Sequence, residues 1–224
     1  MSAFLGPIHH LMYERIGLVA ARQEDLASFA LARMSPGQRE ALGGLWALRH
    51  QAPAGALETL IGEAPIHAWL QREMEAQLLS ESQLWALLAD RPERRAQVLA
   101  RLHEHGLRVG EALLTGTPDM AGDARVLLQQ VDRVVLQSMP CDHVSQVVAA
   151  GASSFIVRRD LLFHAHIWER AGLSEELALA CQESWMRGLY SAVTGLRFIR
   201  AEVESEGQRL FDDRLSLVRT AQEA

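Results

Sequence analysis

Apolar side chains recur three and four positions apart through Ile8, Leu11, Met12, Ile16, Val19 and Ala20, the spacing of one buried helical face. This stripe predicts a long amphipathic helix over 8–34, opened by Pro7. Proline is tolerated in the first turn of a helix and excluded from its interior, so each of the seven prolines marks a plausible start. Ser35-Pro36 predicts a helix to about His50 with Ser35 as N-cap, and Pro53 a brief helical turn ending at Gly62. Pro65 opens a long helix to about Ala89. Pro92-Glu93 begins another through Leu99, Leu102 and Val109, whose second half Gly106 and Gly110 weaken.

Gly116-Thr117-Pro118-Asp119 reads as a turn before a helix over 122–137. Pro140 predicts a helix stopping near Gly151. The stretch 153–157 is the one place where a strand is conceivable, and it is read as a loop or a helix start. The remainder reads as a helix through Ala171, a long helix over 174–204 and a polar final piece to Arg219. The expectation is a single-domain, all-α helical bundle over 1–224 with short connections.

Within that pattern Pro7-Ile8-His9-His10-Leu11-Met12 aligns with Pro65-Ile66-His67-Ala68-Trp69-Leu70. Each segment heads a long helix, which predicts an internal repeat starting at 6 and 64 and two pseudo-symmetric halves.

Charge and composition narrow the function. The net charge of −6 argues against binding a phosphate backbone, so no nucleic-acid partner is expected. All 22 basic residues are arginine, which removes Schiff-base chemistry and lysine-dependent phosphate loops. The segment from Met1 to Pro7 lacks a secretory pattern and no stretch reaches the ~18 apolar residues of a membrane span, so a cytoplasmic location without membrane contact is expected. Two cysteines, Cys141 and Cys181, are too few for a disulfide framework. A homodimer is plausible, although no clean heptad marks an interface.

Nine histidines are many for this length. With each proline as the first helical residue, His9, His67 and Cys141 fall in first turns, where unpaired N–H groups and the positive dipole end lie. Convergence of those starts would let His9, His67, Cys141 and His164 bind iron, zinc or another first-row transition metal, or haem held noncovalently, as a redox or sensing centre. His10 with Glu14, and His166 with Glu169, are secondary ligands or acceptors. Tyr13, Trp69 and Trp168 would wall the cofactor pocket. The plainer alternative makes His9 and His67 capping or core residues.

Cys141 with His143 supports a second reading, a thiol-dependent enzyme or redox sensor with its thiol at a helix start. A third is a structural or regulatory interaction bundle without a cofactor. Arg158-Arg159 is either an anion site or a solvated pair. The partner expected is therefore a small molecule or a metal.

Gly6-Pro7-Ile8-His9-His10 with Tyr13 and Ile16, the second Pro-Ile-His start, Met139-Pro140-Cys141-Asp142, and His164 with Trp168-Glu169 resemble an uncharacterised family of bacterial cytoplasmic helical proteins. The resemblance supports these positions as a set and implies no activity. His10 and Glu14 also reproduce the His-x-x-x-Glu spacing of hemerythrin, but no His-x-x-x-His follows.

Overall fold

The computed structural model describes residues 5–47, 49–117 and 122–218. Its helices are α1 (Pro7–Leu31), α2 (Pro36–Ala47), α3 (Leu57–Ile61), α4 (Ile66–Leu88), α5 (Pro92–Gly116), α6 (Ala124–Val134), α7 (Ala165–Ala171) and α8 (Glu175–Ser191). The strands are β1 (Ser145–Ala150), β2 (Ser154–Arg159), β3 (Leu196–Ser205) and β4 (Gln208–Leu217). They form one antiparallel sheet in the order β1-β2-β4-β3. The protein is therefore mixed α/β, and the all-α bundle expected from the sequence is wrong.

The departures lie from Pro140 onward. Where a helix was expected after Pro140, three residues of 3-10 helix, Pro140–Asp142, lead into β1. The stretch read as loop is β2. The helix expected over 174–204 ends at Ser191, and Leu196–Ser205 is β3. Glu206 and Gly207, both with positive φ (54° and 75°), make the two-residue turn that matches strand twist and joins β3 to β4. The expected turn at Pro118-Asp119 and the end of the final piece at Arg219 lie outside the described residues.

The chain divides into two compact units. The first contains the residues up to Val98 and His166–Ser174; the second contains Leu99–Ala165 and the residues from Glu175 onward. In the first unit α1 packs along α4. Met12, Ile16, Val19 and Leu26 of α1, and Leu70, Met74, Leu84 and Leu88 of α4, are buried, as the helical stripe requires. The same unit buries polar groups in pairs: Arg22 grips Glu81 with two hydrogen bonds of 2.7 and 2.8 Å, and Gln23 donates to Ser80 at 2.6 Å. Burying a charge is tolerable only with such partners.

In the second unit one sheet face lies under helices. Phe155, Val157 and Arg159 of β2 alternate inward, as do Phe211, Asp213 and Leu215 of β4. α8 covers β3 with the Tyr190 ring 5.0 Å from that of Phe198. α8 also crosses α5 at a close approach that glycine alone permits: a methyl group on Gly188 would collide with the His103 backbone carbonyl, and one on Gly106 with the Trp185 carbonyl. Gly106 therefore serves packing rather than merely weakening α5. Among the described residues no helix is long and apolar enough to cross a membrane.

Candidate ligand-binding site

The two Pro-Ile-His starts do meet. His9 Nε2 lies 3.0 Å from His67 Nε2, with ring centroids 5.1 Å apart. The Gly6 N–H donates to His9 Nδ1 at 3.1 Å, while the His9 N–H returns to the Gly6 carbonyl at 3.0 Å. An imidazole that accepts at Nδ1 carries its proton at Nε2. His9 therefore donates to His67, and the lone pair a metal would need at His9 Nε2 is occupied. Burial, then the neighbouring His67 and His10, push the His9 pKa below its ordinary value, so the ring stays neutral near pH 7.

The other members of the expected metal set are placed as follows. His10 lies 3.5 Å from Glu58, and Glu14 is exposed on α1. Cys141 and His164 belong to the second unit. His164 is buried and donates from Nε2 to the Gln137 carbonyl at 2.6 Å. His166 and Glu169, secondary candidates in α7, are exposed. Among the described residues no group of three or more His, Cys, Asp or Glu side chains is placed to hold a metal ion, so the structure does not support the metal-binding and haem expectation. Tyr13 instead ties α1 to the segment before α3, donating to the Pro53 carbonyl at 2.6 Å, and Trp69 and Trp168 are buried.

Cys141 is exposed, with Sγ 3.9 Å from Asp142 Oδ1. Its neighbour His143 is exposed too, in the left-handed conformation with φ 53°. The α-helix whose dipole was to activate the thiol is replaced by the three residues of 3-10 helix, so that support for the thiol reading is gone.

A different cluster lies on the covered face of the sheet. The strand register sets Asp213 directly opposite Arg200, with Val157 on its other side and Arg159 two residues further along β2. Asp213 is fully buried and accepts from Arg159 Nε at 3.0 Å, from Arg200 Nε at 2.7 Å and from Arg200 Nη2 at 2.9 Å. The Arg159 and Arg200 side chains are only 7% and 6% exposed. Arg159 Nη1 also donates to Gln137 Oε1 at 2.8 Å, while the Gln137 amide donates to the Val144 and Asp160 carbonyls, each at 3.2 Å. Gln137 thereby fixes one guanidinium against the start and end of the β1–β2 hairpin.

Two features of this cluster are unbalanced. Two buried guanidinium groups share one buried carboxylate, a surplus of one positive charge. Asp212, next in sequence, faces the other side of the sheet, where Arg158 binds it at 2.8 Å and Arg214 at 3.4 Å. Donors are also left over: Arg200 Nη1 is buried without a hydrogen-bond partner, and the fully buried Tyr190 hydroxyl lies against Arg159 with no acceptor for its proton. Burial pushes the Tyr190 pKa well above its ordinary value; Asp213 adds to the shift, while Arg159 and Arg200 oppose it. The phenol is consequently a neutral donor.

Arg159 belonged to a sequence pair read either as an anion site or as solvated, whereas Asp213, Arg200 and Tyr190 drew no notice. The signal that could have found them is the run Phe211-Asp212-Asp213-Arg214-Leu215 after a Glu-Gly turn, a strand whose inward position is an acid. Comparison with protein-family models, curated proteins and solved structures finds no match.

Proposed function

We propose that this is a small-molecule-binding protein of a regulatory or carrier kind, whose second unit takes a small anion at Arg159, Arg200 and Tyr190. The observation that carries the reading is the surplus positive charge buried beside two unanswered donors. An uncompensated buried charge costs several kcal/mol, and an unmade buried hydrogen bond about 1–3 kcal/mol, so an anion that answers both gains much of that energy on binding. Asp213 then acts as the brace that aligns both guanidinium groups. None of the groups is arranged as a nucleophile with a base, so binding rather than turnover is the conclusion.

The test is thermal denaturation of the wild type and of Arg200→Met in sodium acetate, benzoate or phosphate, against chloride at the same ionic strength. A ligand at 100 times its Kd stabilises by about 2.7 kcal/mol. At least one of the three anions should raise the wild-type Tm well beyond chloride and leave Arg200→Met at its chloride value. Equal shifts in both proteins, or none in the wild type, would overturn the reading.

A further inference from the structure

The two edges of the sheet are built differently. β3 carries Arg197, Glu202 and Glu204, all exposed, the kind of charge with which an edge strand discourages pairing with another chain. β1, at the other edge, carries none. From His143 through Val157 the chain has no Asp, Glu or Arg, and all six β1 residues are exposed, Val147 by 49% and Val148 by 46%. The helical cover serves the other strands: α6 packs on β2 and β4, and α8 on β3. Alternate backbone N–H and C=O groups of β1 point away from β2, as at any sheet edge, and are free to pair with another strand.

Pairing with β2 sets the face of each β1 residue. Ser145, Val147 and Ala150 stand opposite the inward Arg159, Val157 and Phe155, whereas Gln146 and Ala149 stand opposite the outward Arg158 and Ile156. A bulge inserts Val148 between the two runs, so from either end the strand begins inward and then turns outward. A regular six-residue strand has its first and last side chains on opposite faces, and it cannot pair antiparallel with its own copy about its centre, because directly opposite residues share a face. The bulge removes that obstacle. We infer that β1 is a homodimer interface, pairing antiparallel with β1 of a second copy about a two-fold axis between Val147 and Val148. Ser145 then meets Ala150 of the copy, Gln146 meets Ala149 and Val147 meets Val148. The neutrality of the strand favours this occupant, since a self-pairing strand brings side chains near their own images, and the net charge of −6 repels a copy from the rest of the surface. One short strand per copy makes a small interface, so the dimer is weak and depends on concentration. The inference is independent of the anion reading above.

The experiment is sedimentation equilibrium of the intact protein from micromolar to near-millimolar concentration, on the wild type, on Val148→Lys and on Ile199→Lys, which changes an exposed apolar residue of the opposite edge strand. Both substituted side chains are exposed, so both variants should keep the wild-type circular dichroism and Tm. The wild type should dimerise reversibly, Ile199→Lys should match it, and Val148→Lys, which sets two like charges beside the two-fold axis, should dimerise at least tenfold more weakly. A wild type that stays monomeric throughout, or a dimer that Val148→Lys leaves intact, would overturn the proposal. The register is read separately by cross-linking with a short bis-maleimide in a Cys141→Ser background, which removes the exposed native thiol. Ser145→Cys with Ala150→Cys should give a covalent dimer, whereas Ala150→Cys alone, with its thiols roughly 15 Å apart along the paired strands, should not. Equal cross-linking of the two variants would overturn the two-fold axis between Val147 and Val148.

Discussion

Replacing Asp213 with asparagine tests how the buried charges of the sheet depend on one another. The carboxylate has no exposed surface and accepts three hydrogen bonds from two guanidinium groups that are themselves at most 7% exposed. An asparagine side chain at this position would keep the shape and one acceptor oxygen, but the buried charge would rise from one surplus positive to two. Breaking a buried ion pair by removing one partner costs about 3–5 kcal/mol, because the charge left behind cannot be rehydrated. That is a large part of the ~5–15 kcal/mol that holds a typical domain together. For a chain of this size each kcal/mol moves Tm by roughly 2–4 °C, so a fall on the order of 10 °C is expected. Urea denaturation followed by far-ultraviolet circular dichroism measures the loss, with the variant Arg159→Met, Arg200→Met, Asp213→Leu as the control. That control removes all three charges together and should recover most of the stability. A loss under about 1 kcal/mol for Asp213→Asn, or a triple variant less stable than the single one, would refute the reasoning.

The other expectations are these. Gly188→Ala forces a methyl group into the His103 carbonyl, so a destabilisation of at least ~1–3 kcal/mol is expected in urea melts, while Gly37→Ala, where a methyl group meets nothing, should cost far less. Arg200→Met removes the surplus charge and leaves Arg159 paired with Asp213, so in the absence of an added anion its Tm should equal or exceed that of the wild type. The His9 pKa is lowered on folding, so the unfolded chain binds more protons below its own value of about 6.5 and stability falls as pH drops through that value toward the folded one. Melts from pH 8 to pH 5 should show this slope reduced in His9→Gln; an unchanged slope would show that the paired imidazoles do not carry it.

The helices were legible because a helical stripe tolerates a polar intruder. Arg15 and Gln23 interrupt α1, yet Met12, Ile16, Val19 and Leu26 still mark its face. The strands had no such margin. In β2, β3 and β4 the inward positions include Arg159, Arg200 and Asp213, so the residues that make the candidate site are the ones that break the two-residue alternation by which a half-buried strand is recognised. Reading 174–204 as one helix also passed over Gly195, whose φ of 76° stands between α8 and β3. The meeting of His9 and His67 could be anticipated from the paired Pro-Ile-His segments, but the chemistry could not. Only the position of the Gly6 N–H decides which histidine nitrogen holds the proton.

The central claim is that an anion answers the surplus charge beside Tyr190. It is tested most directly by following the Arg200 guanidinium and Tyr190 ring resonances by NMR while sodium benzoate is titrated in at constant ionic strength, with sodium chloride as the reference. The account predicts saturable shifts of both residues with a common midpoint and no comparable change in chloride. Shifts that grow linearly, that match those in chloride, or that spare Arg200 and Tyr190 would contradict it.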